Sequence, residues 1–260
     1  MNHEEPQFLD VGVGAEKRRI AFRRRAPPQS QKPGIVWMGG FKSDMASTKA
    51  SALDAFCDES DRGFLRFDYS GHGVSGGAFE DGTISRWLEE SLAVFRAQTQ
   101  GPQIVVGSSM GGWLALLLAR SLEKLGESAR LAGLVLIAPA VDFTEALLWA
   151  HASPEARRAI EVDGVWRRPS EYADDPIVFT RGLIEDGRRN LLLGGMIRAH
   201  APVRILQGMK DPDVPYTHAL RLVEHMPSDP VTLTLVRDGD HRLSRPEDLV
   251  LLCEAVEGLV

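Results

Sequence analysis

The chain has 260 residues, of which 43% are hydrophobic and 25% charged, a composition typical of soluble globular domains. This length fits one large domain or one domain with an insertion. The formal net charge of -6, from 36 acidic and 30 basic residues, argues against a nucleic-acid partner. The two cysteines, Cys57 and Cys253, are too few for a disulfide framework, and no stretch reaches the roughly 20 apolar residues of a membrane helix.

Strand and helix patterns alternate along most of the chain. Residues 7 to 25 alternate loosely in polarity around turn residues near Gly12 to Glu16, which predicts an antiparallel pair of strands. Short apolar runs bounded by Gly, Pro or Asp then predict buried strands, with helical periodicity in most of the gaps. The pattern predicts an α/β fold with a mostly parallel central sheet and helices on both faces. The runs are Ile35 to Met38, Phe64 to Phe67, Ile104 to Val106, Leu134 to Ile137, Val203 to Leu206 and Leu233 to Val236.

One gap, between the strand ending near Ala138 and the strand beginning near Pro202, is about sixty residues long, too long for a single crossover. Helical patterns occur in it around 143 to 151, 154 to 161 and 177 to 198. They predict an inserted helical cap at 142–200, between core segments 1–141 and 201–260. Two ordinary crossover helices with a long loop are the alternative, since the composition does not shift sharply at either end.

The stretch Gly107-Ser108-Ser109-Met110-Gly111 fits the G-x-S-x-G pattern of a nucleophile turn between a strand and a helix. A serine on this turn has a strained backbone that exposes its hydroxyl. Flanking glycines are needed, because any side chain there would collide with the neighbouring strand or helix. With Ser108 as the nucleophile, Val106 and Met110 would occupy these tight positions. The register therefore selects Ser109.

A serine nucleophile needs a histidine base and an orienting carboxylate. Asp211 follows a predicted strand in a D-x-x-V-P pattern, and His241 lies on the loop after the last strand. The order Ser, Asp, His is that of the α/β-hydrolases. Asp213 and Asp142 remain alternatives for the acid, whereas Asp240 adjoins the histidine too closely in sequence to contact its far ring nitrogen.

Two backbone N–H groups are expected to bind the oxyanion, that of Met110 and one from the turn after the first buried strand, which indicates Phe41. Gly39-Gly40 would let this turn approach the substrate, although a simple Gly-Gly loop is the alternative. His72 could face the site or belong to a structural turn. Asp44 is expected to cap the helix that begins near Ser47, and the alternative is that it supports residues of the site.

No cofactor or metal is predicted, because C-x-x-C, H-E-x-x-H and G-x-x-x-x-G-K-[ST] are all missing from the sequence. Gly71-x-Gly73-x-x-Gly76 follows a strand but precedes no immediate helix, which argues against a dinucleotide site. A serine at the nucleophile turn also argues against the dehalogenase and epoxide-hydrolase variants, which use aspartate there.

Several stretches between Val36 and Leu252 carry a family resemblance. They are Ser47-Thr48-Lys49-Ala50, Arg66 to Gly71, Gly101 to Trp113, Gly164 to Tyr172 in the cap, Gly208 to Asp211 with Val214-Pro215, and Asp240-His241-Arg242. In these stretches the sequence resembles the α/β-hydrolase serine esterases of the family that includes the animal mitochondrial palmitoyl-protein thioesterase, also described as the mycophenolic acid acyl-glucuronide esterase. The resemblance implies the α/β-hydrolase fold and the same catalytic residues, Ser109, Asp211 and His241.

Two features depart from the family. Gly39 stands where the oxyanion turn is expected to have proline, and no transit peptide precedes the domain. We therefore expect a cytoplasmic location, unlike that of the animal enzyme.

The expected activity is hydrolysis of carboxylic esters or thioesters through an acyl-enzyme, on a small-molecule or acylated-protein substrate. The resemblance favours the palmitoyl-protein thioesterase or acyl-glucuronide esterase type. Leu147-Leu148-Trp149 and Leu191-Leu192-Leu193 could line an acyl channel or pack within the cap. Alternatives on the same triad are a carbon–carbon bond hydrolase, a cofactor-free peroxidase and a binding protein without turnover. The oligomeric state is not predicted.

Overall fold

The computed structural model describes residues 5–25, 32–169 and 176–259. Its strands in these ranges are β1 Gln7–Val11, β2 Arg18–Arg25, β3 Gly34–Met38, β4 Phe64–Phe67, β5 Gln103–Ser108, β6 Leu131–Ile137, β7 Val165–Arg168, β8 Ile177–Thr180, β9 Val203–Gly208 and β10 Val231–Val236. Eight of them form a sheet in the order β1-β2-β4-β3-β5-β6-β9-β10. The β1–β2 and β2–β4 pairs are antiparallel and the other neighbours are parallel, which confirms the predicted α/β architecture.

Helices follow most of the parallel strands. Their bounds are α1 Thr48–Glu59, α2 Ile84–Gln98, α3 Met110–Lys124, α4 Pro154–Arg158, α5 Arg181–Arg189, α6 Tyr216–Glu224 and α7 Pro246–Glu257. Two of them begin at a threonine whose hydroxyl accepts a hydrogen bond from a free N–H of the first turn. Thr83 caps α2 in this way through Arg86, and Thr180 caps α5 through Leu183.

Alternate residues of the central strands face opposite sides of the sheet, as the two-residue period of a strand requires. On β3, Val36 and Met38 join the larger core, which contains buried residues of α2, α3 and α6. Ile35 and Trp37 join the smaller core with α1 and α7. The continuous apolar runs seen in the sequence therefore follow from burial on both faces.

Between β6 and β9 the chain leaves the sheet and packs over its carboxyl edge. This segment contains π-helical turns at Thr144–Leu148 and Ala159–Asp163, the helices α4 and α5, and an antiparallel pair formed by β7 and β8. The predicted helix at 177–198 is wrong in part, because its first four residues form β8 and the helix spans only Arg181–Arg189. β-branched and aromatic residues favour the strand, and the Phe179 ring stacks on Trp166 of β7 with centroids 5.8 Å apart.

The two cysteines are free thiols. Cys57 is fully buried on α1, and burial raises its pKa to about 12, so that it remains an unreactive thiol at neutral pH. Across the described ranges, no helix combines the length and apolar character needed to cross a membrane.

Candidate active site

Ser109 lies on a tight turn between β5 and α3, with φ of 53° and ψ of -118°. A positive φ is rare for a residue with a side chain, and such strain concentrates at functional sites. A Cβ atom added to Gly107 would lie 2.4 Å from the carbonyl oxygen of Gly111, and one added to Gly111 would lie 2.1 Å from that of Met38. Both positions therefore exclude a side chain, in agreement with the glycine register that selects Ser109 over Ser108.

The structure brings Ser109, His241 and Asp211 together at the carboxyl ends of β5, β10 and β9. His241 Nδ1 lies 2.8 Å from Asp211 Oδ2, and His241 Nε2 lies 3.1 Å from Ser109 Oγ. Because an ionised carboxylate only accepts hydrogen bonds, the ring proton resides on Nδ1 and Nε2 faces the serine as an acceptor. The Asp211 side chain is fully buried, while that of His241 is 20% exposed. The arrangement can take the serine proton as an oxygen nucleophile forms.

Four hydrogen bonds fix the Asp211 carboxylate. Its Oδ1 accepts from the N–H groups of Asp213 and Val214, at 2.9 and 2.8 Å. Its Oδ2 accepts from Gln207 Nε2 at 3.1 Å, besides the His241 ring. These contacts hold Oδ2 in one place, so the carboxylate sets the orientation of the imidazole.

The alternative acids have other contacts. Among the described residues, Asp211 is the acid that hydrogen-bonds to the His241 ring. Asp142 is buried and accepts from the N–H groups of Leu192 and Leu193, which joins the two ends of the segment between β6 and β9. Asp240 Oδ1 accepts from two N–H groups of its own loop. Asp213 borders the cavity at the serine.

The described residues contain one group of three potential metal ligands, Asp211, Asp213 and His241, whose ligand atoms lie within 4.8 Å of one another. Asp211 and His241 hydrogen-bond to each other, and His241 also hydrogen-bonds to Ser109. The group therefore coincides with the Ser109 site.

Phe41 and Met110 border the same cavity as Ser109 and His241. Met110 is the first residue of α3, where backbone N–H groups lack an intrahelical acceptor and the helix dipole favours negative charge. The turn that carries Phe41 approaches Ser109 closely, since a Cβ on Gly40 would lie 3.3 Å from the Ser109 Cβ. Glycine thus permits the short distance between this turn and the serine, despite the missing proline at position 39.

A cavity of about 170 Å³ opens beside Ser109. Its walls are mainly aromatic and aliphatic, and the Phe41 ring stacks on Phe179 with centroids 5.4 Å apart. Of the two predicted channel stretches, Leu147 and Leu148 line this cavity, whereas Leu192 and Leu193 are buried in the core packing. The segment between β6 and β9 therefore supplies part of the wall.

Sequence reasoning missed Arg168, whose guanidinium lies over the Phe179 ring at 5.4 Å and borders the cavity. The sequence pattern does not predict the β7–β8 pair, so it gives no reason to expect Arg168 beside the site.

The prediction that Asp44 caps α1 is wrong. Its carboxylate accepts a hydrogen bond from the Ala46 N–H group, which precedes the first residue of the helix. Tyr172, which belongs to the predicted cap, lies outside the described residues.

The chain is similar to proteins of animals and bacteria over most of its length. It is 34% identical over 248 residues to the Mus musculus palmitoyl-protein thioesterase ABHD10, mitochondrial, which covers 95% of this chain and 80% of that protein. The solved structure of mouse alpha/beta hydrolase domain-containing protein 10 superposes with a TM-score of 0.85 at 31% identity, over 98% of both chains. A crystal structure from Agrobacterium vitis S4, described only as a hydrolase, gives a TM-score of 0.94 at 51% identity, again over 98% of both chains.

The predicted cytoplasmic location is contradicted by these comparisons. The matching curated relatives from cattle, human and mouse are all named as mitochondrial proteins. The expectation rests on the residues at the start of the sequence, which are no evidence for a location.

The model of the alpha/beta hydrolase family matches residues 33–251, which include Phe41, Ser109, Met110, Asp211 and His241. The match covers the sheet from β3 to β10 and the segment between β6 and β9. Together with the mostly parallel sheet and the similarity to ABHD10 over most of the chain, this match shows that the chain belongs to the alpha/beta hydrolase family.

Proposed function

We propose that this hydrolase is a serine esterase or thioesterase, with Ser109 as the nucleophile, His241 as the general base and acid, and Asp211 as the residue that orients His241. The observation that carries the proposal is the continuous hydrogen-bonded path from Ser109 Oγ through the His241 ring to Asp211. The path begins at the strained turn and ends at a fully buried carboxylate.

In the first half of the reaction, Ser109 Oγ attacks the carbonyl carbon of the substrate while His241 Nε2 accepts the hydroxyl proton. The negative charge that develops on the carbonyl oxygen is stabilised by the N–H groups of Phe41 and Met110. His241 then donates its proton to the leaving alcohol or thiol, and an acyl-serine ester remains.

In the second half, water replaces the leaving group. His241 Nε2 accepts a proton from this water as its oxygen attacks the acyl carbon. The second tetrahedral intermediate uses the same two N–H groups, and its collapse returns the proton to Ser109 Oγ and releases the acid. No redox group is needed at any step.

The proposed substrates are S-acylated proteins or acyl esters of small molecules. Support comes from the name of the mouse relative, a palmitoyl-protein thioesterase, and from the apolar cavity wall beside the serine. In this proposal residues 142–200 act as a cap, because Leu147, Leu148, Ile177 and Phe179 from this segment border the cavity. The cap would select the acyl group.

A second candidate is an acyl-glucuronide esterase, and Arg168 is the observation that favours it. A glucuronate leaving group carries a carboxylate, and a guanidinium beside the serine could pair with it through two hydrogen bonds. Arg167, the neighbour on β7, does not border this cavity, and its Nη1 lies 3.8 Å from Glu80 Oε1.

The test is a turnover panel with purified protein. It contains p-nitrophenyl esters and S-acyl thioesters of increasing chain length, together with an acyl glucuronide. Ser109→Ala should remove activity toward every member, and rates that do not change with chain length would count against acyl selection by the cap. Arg168→Met should lower kcat/KM for the glucuronide by about tenfold or more while p-nitrophenyl acetate turnover is kept. Arg167→Met is the matched control.

A further inference from the structure

The turn that carries Phe41 is held from its far side by the loop that follows β4. The Tyr69 hydroxyl donates to the carbonyl oxygen of Gly39 at 3.2 Å. The N–H group of Lys42 donates to His72 Nε2 at 3.2 Å. The two contacts therefore bracket Phe41, one on each side of it along the chain.

The protonation of His72 follows from its surroundings. Its Nδ1 lies 3.1 Å from the carbonyl oxygen of Ser70, which can only accept, so Nδ1 carries the proton and Nε2 is free to accept from Lys42. The ring is 3% exposed, and burial lowers its pKa to about 4, which keeps it neutral at physiological pH. A charged ring would present a proton to the Lys42 N–H group instead of a lone pair.

Aromatic rings surround His72. Ring centroids of Phe79, Trp87 and Tyr69 lie 5.1, 5.2 and 5.5 Å from that of His72. Trp87 also donates through Nε1 to the same Ser70 carbonyl at 3.2 Å. The acceptor atom therefore lies on a buried ring packed against Tyr69 and Trp87 of the larger core.

Lys42 needs such a partner because its backbone has a φ of 59°, in the left-handed region that side-chain-bearing residues rarely adopt. Conformations of this kind persist only where the surrounding structure holds them. Without the bond to His72, the backbone angles of Phe41 and Lys42 could relax, and the Gly40–Phe41 peptide, which carries the Phe41 N–H group, would change direction.

We propose that His72 and Tyr69 are positioning residues that fix the direction of the Phe41 N–H group toward the oxyanion. The inference rests on the proposed function, since it assigns a role within the same site. Neither side chain borders the cavity, so they act on catalysis through the turn and not by touching the substrate.

The experiment compares His72→Phe, His72→Gln and Tyr69→Phe with the wild-type protein on a p-nitrophenyl ester. Phenylalanine keeps a ring but removes the acceptor, whereas the glutamine oxygen reaches about as far as Nε2. Enzyme concentrations are set by titration with a fluorophosphonate, so that kcat refers to folded, reactive sites. The second readout is affinity for a trifluoromethyl ketone, which mimics the tetrahedral intermediate.

For His72→Phe we expect kcat to fall about tenfold to a hundredfold with KM little changed, less than the hundredfold to thousandfold typical when an oxyanion donor is deleted. Trifluoromethyl ketone affinity should fall in parallel with kcat/KM. His72→Gln restores an acceptor for the Lys42 N–H group and should therefore keep most of the wild-type kcat. If the imidazole ring only filled space, glutamine would not restore kcat. Tyr69→Phe removes the hydrogen bond to Gly39 and should lower kcat severalfold. This variant still tests the inference if His72→Phe does not fold.

A kcat within twofold of wild type in both His72→Phe and Tyr69→Phe would overturn the inference. So would a loss confined to KM, or equal losses in His72→Phe and His72→Gln. Ser109→Ala separates this failure from that of the proposed function. If Ser109→Ala is inactive while the other variants keep full activity, only the positioning role fails; if Ser109→Ala keeps turnover, the proposed function fails.

Discussion

Replacement of Asp211 by asparagine should remove most activity with little change in shape. The Oδ1 position faces two backbone N–H groups, of Asp213 and Val214. The asparagine oxygen must take this position, because an NH₂ group there would oppose two donors. The amide NH₂ then points at Nδ1 of His241, which must become an acceptor. The ring proton moves to Nε2 and faces Ser109 Oγ, so the histidine can no longer accept the serine proton.

The hydrogen bonds of Gln207 keep its amide from turning to accept from the asparagine NH₂ group. Its Nε2 donates to Asp211 and to the carbonyl oxygens of Gly208 and Val214, so rotation of its amide to meet the new NH₂ group would break the last two bonds. We therefore expect the full effect of a reversed tautomer, about 10⁴-fold in kcat for a Ser-His-Asp site. That corresponds to about 5 kcal/mol in the activation free energy.

The assay is steady-state hydrolysis of a p-nitrophenyl ester by Asp211→Asn, with KM expected to change little. Asp240→Asn is the matched control, because the asparagine side chain retains an oxygen that can accept from the N–H groups of Arg242 and Leu243. It should stay within about threefold of wild type, as expected for an exposed loop contact. A kcat for Asp211→Asn within tenfold of wild type would refute the assigned role of the carboxylate.

Three further predictions concern the turn, the cap and pH. Gly111→Ala should abolish ester turnover in folded protein judged by circular dichroism, because its Cβ would lie 2.1 Å from the Met38 carbonyl oxygen and displace the turn that follows. Asp142→Ala should lower the free energy of unfolding in urea by about 3 kcal/mol, because two buried N–H groups lose their acceptor; no change would exclude this. Folding lowers the pKa of His72 from 6.5 to about 4, so the unfolded state binds more protons between these values. Stability should therefore fall by about 3 kcal/mol from pH 7 to pH 4, and His72→Phe should remove this part of the fall.

Much of the fold and of the candidate site was predictable because burial and turn geometry restrict which residue types can occur at particular positions. The apolar runs of the central strands exist because both faces of the sheet are covered. Gly107 and Gly111 are required by contacts of less than 2.5 Å that a Cβ would make, so their spacing predicts that Ser109 is the residue at the apex of the turn. Asp211 and His241 follow strand ends, where loops of a parallel sheet converge.

Other features depend on tertiary contacts that no local pattern encodes. The run Ile177–Thr180 is too short to separate strand from helix, and its pairing with Val165–Arg168 decides the outcome. Because this pairing cannot be predicted from the run alone, the sequence does not predict that Arg168 borders the cavity. His72 lies 30 positions from Lys42, and their bond exists only because β3 and β4 are neighbours in the sheet.

The most direct test of the central claim is to locate the adduct formed by a fluorophosphonate on the native protein. Intact mass followed by peptide mapping should show one phosphonyl group on Ser109. Ser108→Ala should react at a similar rate, since the Ser108 side chain has no assigned role, whereas Ser109→Ala should not react. An adduct on Ser108 or elsewhere, or normal labelling and ester turnover by Ser109→Ala, would contradict the assignment of Ser109 as the nucleophile.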